Sequence, residues 1–203
     1  MKRLVGVFLL VVSLSLVGFA SGSPEAVTHD FIEFGKEMDY EGLLTLLNTK
    51  NEVNQERAEE YGLYLEADPG QAQVEDFWRE KNGKTTYEIL SSIIEGDMAY
   101  VMVDFTYYDG APIMEATSVM EELLILAFAQ MGGDSEMPDE DAMEQMWCAA
   151  LLEAAETIPA TFIEETIQIE LARVDNQWCI HELTEDIMNV FSCNLIEGMQ
   201  TLE

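Results

Sequence analysis

Cations are scarce in this sequence. Lys and Arg number 9 against 40 Asp and Glu, a formal net charge of −31. Such an excess repels nucleic-acid phosphates and anionic headgroups, so no nucleic-acid partner is expected. Histidine is scarcer still. His29 and His181 are the only two, which leaves little imidazole for acid–base work or metal ligation. No nucleophile elbow, phosphate loop or zinc-ligand spacing is present. The sequence therefore points to no metal and no cofactor. Nothing recurs at a period of about 20–50 residues, which argues against a solenoid.

What is present fits one folded domain. The chain has 203 residues, 48% of them hydrophobic, enough for a sizeable core and too many for a disordered chain. Lys2-Arg3 precede an apolar run from Leu4 to Ala20, which reads as a secretory signal peptide over residues 1–20. Cleavage fits after Ala20 or two residues later. Leu16-Val17-Gly18-Phe19 also resembles a bacterial lipoprotein box with Phe19 where the lipidated cysteine would stand. The expected product is a soluble, exported protein (periplasmic or extracellular) with no stable membrane span once the leader is gone. Residues 24–203 are expected to form a single domain.

The most regular stretch is a strand pair, Tyr87–Glu95 and Met98–Asp109, joined at Gly96-Asp97. Ala99, Val101, Val103, Phe105 and Tyr107 alternate with Met98, Tyr100, Met102, Asp104, Thr106 and Tyr108, the period of a half-buried strand. Before it, Ser23-Pro24-Glu25 starts a helix with a hydroxyl cap and a proline in the first turn. That helix carries Val27, Phe31, Phe34 and Met38, and Asp39 can cap a second. Weaker helical character covers 52–66, and a short helix around Val74, Phe77 and Trp78 ends at Asn82-Gly83. Residues 113–158 read as a helical hairpin inserted between strands. Phe162–Val174 is a long strand turned by Asp175-Asn176 into Gln177–Leu183. A single final helix is expected over Thr184–Leu202, with Ile187, Phe191, Leu195 and Met199 on one stripe. The acids around Pro138 lack the ligand alternation of an EF-hand loop and read as a solvated helix start.

The segments PEAVTHDFIEFGKEMDYEGLLTLL, IEGDMAYVMVDFTYYDG and IQIELARVDNQWCIHEL together resemble secreted and lipoprotein domains of the nuclear transport factor 2-like superfamily. The resemblance covers most of 24–112 and 160–183. It implies an α+β cone, a curved antiparallel sheet with N-terminal helices in its concave face. The inserted helical hairpin and the C-terminal helix are additions to that pattern. Because Met98, Tyr100, Met102 and Tyr108 make the outer sheet face unusually apolar, the insertion, the last helix or both are expected to cover it.

In such a cone a ligand would meet Phe31, Phe34, Tyr87, Val103, Phe105, Tyr107 and Trp178, with Arg173 at the mouth facing an anion or pairing with an acid. The tyrosines also suit amphipathic core positions. His29 should face water, and His181 should point away from the interior. Cys148, Cys179 and Cys193 are odd in number for an exported chain; one disulfide among them and three buried thiols both fit. The leading expectation is a non-enzymatic module that binds a small molecule or a protein partner. The alternatives are a small-molecule isomerase, dehydratase or hydrolase using the cone, and an adhesive protein associating through its inserted helices.

Overall fold

The computed structural model describes residues 22–60, 72–119 and 140–200. The expected leader, the centre of the insertion and the acids Asp134 and Glu136 lie outside them. Helix α1, Pro24–Glu37, begins where its cap is written: the Ala26 N–H donates to the Ser23 hydroxyl at 3.4 Å. It ends at Met38, in the left-handed region with φ 55°. Asp39 then caps α2, Tyr40–Leu46, accepting from the Gly42 N–H at 2.9 Å. Helices α3, Glu52–Glu60, and α4, Ala72–Asn82, follow.

The sheet is an open antiparallel meander, β1 (Thr86–Glu95), β2 (Met98–Tyr108), β3 (Phe162–Val174) and β4 (Gln177–Ile180), in the order β1-β2-β3-β4. Gly96 takes φ 66° in the first hairpin; Asp175 and Asn176 take φ 51° and 67° in the second, the backbone twist that tight hairpins need. One residue of β1 is extra. Ile89 pairs with Val103 and Ser91 with Met102, so Leu90 bulges out of register and the strand bends there.

The expected inner face is the core face. Ala99, Val101, Val103, Phe105 and Tyr107 are buried with Ile167, Ile169, Leu171 and Ile180 against Phe31, Ile32 and Leu43. Each large apolar side chain so buried contributes about 1.5–3 kcal/mol. The fold is thus α+β, with helices against one face of a curved sheet.

Three expectations are corrected. The final helix is two: α7 (Glu185–Phe191) and α8 (Leu195–Gln200), broken where Cys193 and Asn194 adopt φ 55° and 61°. The break lets the Cys193 carbonyl accept the Gly110 N–H at 2.7 Å. Second, α7 covers the inner face and not the back, its Phe191 ring edge-on to Phe31 at 5.3 Å. Third, the insertion begins in helix at 111–119 (α5) and returns as α6, Glu140–Thr157. Its described residues pack beside the far end of β2. There Ile113, Leu151 and Ala154 join Val74, Trp78, Tyr108 and Cys193 in a second core. Tyr108, the last outer-face residue of β2, is covered there as expected, together with Trp78, so the insertion covers the sheet back at that end alone among the described residues. Among the described residues no roof lies over Met98, Tyr100 and Met102, which stay half-buried.

Strand β4 is also shorter than its apolar pattern suggests, because the chain leaves the sheet after His181 to meet Asn54. This side chain is buried, donates to the carbonyls of Asn48 and His181 at 3.1 Å each, and accepts from the Leu183 N–H at 2.8 Å. Asn54→Ala strands those groups and should cost about 2 kcal/mol. Urea unfolding should show a lower midpoint with an unchanged slope.

Candidate functional site

The interior that the sequence offers as a pocket is filled by its own walls. Phe31 and Val103 have 0% exposure, Phe105 and Tyr107 2%. Phe34 is partly buried against the same core. The remaining residues separate to the ends and edge of the sheet. Tyr107 sits near the insertion end, its hydroxyl donating to Glu165 Oε2 at 3.1 Å. Arg173 sits at the hairpin end, stacked over the Trp178 ring at 4.4 Å, the arrangement that a planar guanidinium favours. Arg173 donates its N–H to the Asp97 carbonyl, ten residues before Tyr107 on the chain; at strand rise the two sites lie about 30 Å apart. Seven of the eight candidates thus belong to or pack against one core, with Tyr87 tilted against Phe105 at 6.2 Å, while Arg173 stands outside it at the hairpin end.

Tyr87 marks a rim on the β1 side. Lys36 lies over its ring at 5.5 Å, and His29 meets it edge-on at 6.2 Å. His29 faces water, as its place off the apolar stripe predicts. Partial burial works against ionising Glu33, yet hydrogen bonds from Lys36 and Tyr87 hold its pKa low. Burial first, then the Glu33 carboxylate, pushes Tyr87 from 10.0 to about 12. Burial and Glu165 push Tyr107 in the same direction. Both phenols are thus favoured neutral in the folded state. Their contribution is intact below the unfolded value near 10 and is lost as pH rises beyond it. Stability should fall from pH 10 to 12 in thermal melts, and Tyr107→Phe should flatten the fall.

No disulfide joins the cysteines; all three are thiols. Cys179 pairs across the sheet with Ala172, at the Met98 end, whereas Cys193 packs with Tyr108 at the other. Cys148 belongs to that same second core, so Cys179 is out of reach of both. Burial pushes the Cys193 thiol up to about 12, which makes it a poor nucleophile. His181 lies just past β4, its N–H donating to the Glu170 carbonyl at 2.8 Å.

Among the described residues no charged side chain is buried and no group of three His, Cys, Asp or Glu could hold a metal. Their cations are already engaged: Lys36 with Glu33, Lys50 with Asp175, Arg57 with Glu182, and Lys81 and Lys84 with Glu80. Arg79 donates to the Glu37 carbonyl. A cavity of about 300 Å³ opens between α4 and α6, lined by Gln73, Val74, Gln145, Cys148 and Leu152; sequence reasoning missed it, since it joins two elements with no shared pattern.

Sequence reasoning also missed the edge of β1. Leu90, Ile93 and Ile94 are 49%, 58% and 53% exposed on this one strand. Among the described residues β1 pairs only with β2. Among the described residues no other element bonds its outer backbone groups. Its sequence, TYEILSSIIE, carries neither the Lys nor the Pro that commonly guards an edge. Among the described residues no helix is long and apolar enough to cross a membrane. Comparison with family models, curated proteins and solved structures found no match to this chain.

Proposed function

We propose that this chain is an exported, non-enzymatic module that binds a protein partner along the β1 side of its sheet, on a nuclear transport factor 2-like scaffold. The exposed apolar edge carries this reading, together with an interior filled by Phe31, Val103 and Phe105. A catalytic cone needs an acid or histidine poised inside it. Among the described residues the buried side chains with polar groups are those of Thr, Asn, Tyr and Trp, together with the Cys193 thiol, and none is an acid or a histidine. Small-molecule binding is the second reading, favoured by the cavity between α4 and α6. The basic-then-apolar amino terminus supports export, and the mature chain should begin at Ser21 or Ser23.

A photo-crosslinking residue at position 93 should join the chain to another protein in its host. The same residue at Glu156, exposed on α6, should not. A small molecule retained in native mass spectrometry, with no protein crosslinked at position 93, overturns the reading in favour of the cavity.

A further inference from the structure

We infer that the occupant of the β1 edge is an extended, cationic segment of another protein, added as a fifth strand. This rests on the partner-binding reading above and names the chemistry of the partner. Strand addition suits the edge because alternate residues of Thr86–Glu95, on either side of the Leu90 bulge, turn backbone donors and acceptors outward that no other element among the described residues takes up.

The side chains define what such a strand must carry. Glu88 pairs with Asp104 and Glu95 with Met98, six residues apart on β2. The bulge at Leu90 absorbs the extra residue, so both carboxylates lie on the outer face. Glu88 and Asp104, both exposed, stand directly opposite one another, a like-charge pair that destabilises a sheet unless a cation is near. Asp97 adds a fourth exposed acid beside Glu95. Between these acids stand Ile93 on the outer face and Ile94 on the inner. The matching strand has cations six residues apart, with apolar residues between them.

A second copy of the chain fits worse. An antiparallel copy centred between Ser91 and Ser92 would set Glu88 of each against Glu95 of the other, and would bring together two chains of net charge −31. The terminal acids act against self-pairing while leaving the edge open to a basic strand.

The probe is a synthetic peptide, Lys-Val-Val-Thr-Thr-Val-Lys, added to the full mature chain at up to about 1 mM, the range of weak binding. Hydrogen exchange should slow at Thr86–Glu95 and not at β4. A peptide with Glu for both Lys should give no protection. The exposed double variant Glu88→Lys, Glu95→Lys should weaken binding about tenfold and should bind the acidic peptide instead. Absence of protection at β1, equal binding of both peptides, or protection that grows with protein concentration in the absence of peptide would each overturn the inference. If the peptide fails while position 93 still crosslinks to a protein, the partner-binding reading stands and the cationic strand does not.

Discussion

Asn82→Asp is expected to cost the fold about 4 kcal/mol, the range seen when a buried charge loses its partner. Asn82 has 0% exposure. Its amide nitrogen donates to the carbonyls of Gly35 at 2.8 Å and Phe191 at 3.0 Å, and its oxygen accepts from the Thr85 hydroxyl at 3.4 Å. One side chain therefore ties the end of α4 to α1 and α7. Aspartate has the same shape, so no cavity forms. It replaces a two-proton donor with an oxygen that faces two other oxygens. Its folded-state pKa would be raised, so the penalty is absent below the unfolded value near 4, grows as pH rises through it, and is complete at neutral pH. Urea titrations at pH 7 and pH 4 should show most of the loss at pH 7 only. Equal losses at both values would mean that packing, and not the two carbonyls, sets the cost.

Gly35→Ala should cost about 3 kcal/mol, the upper end for overpacking a dense core. A Cβ at Gly35 would lie 2.4–2.5 Å from three atoms of the Phe191 ring. The ring cannot withdraw easily. It is 5% exposed and packed edge-on against Phe31. The second change Phe191→Leu should recover part of the loss, giving a coupling of about 1 kcal/mol or more in a double-mutant cycle. Additive losses would place the clash elsewhere.

These two contacts show where sequence reasoning stops. The alternation in β2, the hairpin glycine, the Ser23 and Asp39 caps and the strand Phe162–Val174 are local signals, and the structure has each of them. Gly35 and Asn82 carry no such signal. Each is set by elements distant in sequence, and a glycine in a helix or an asparagine near its end reads equally well as surface. The bulge was hidden for a related reason. Ile89, Leu90, Ile93 and Ile94 form two apolar pairs around two serines, a pattern that fits either face. The stripe of Ile187 and Phe191 predicted a buried helix correctly but could not say which layer would bury it. The site was the least legible part. Aromatic residues at core phase describe a filled interior and a lined pocket in the same way, and only packing separates them.

The engagement of every described lysine and arginine has a consequence for the medium in which the chain works. With its few cations held by neighbouring groups, the surface must draw counterions from solution to offset its own repulsion. Stability should climb as sodium chloride rises from about 0.01 M to 0.15 M, while the screening length shrinks from about 30 Å to 8 Å. In very dilute buffer the same domain should melt earlier, loosened by its own anionic field.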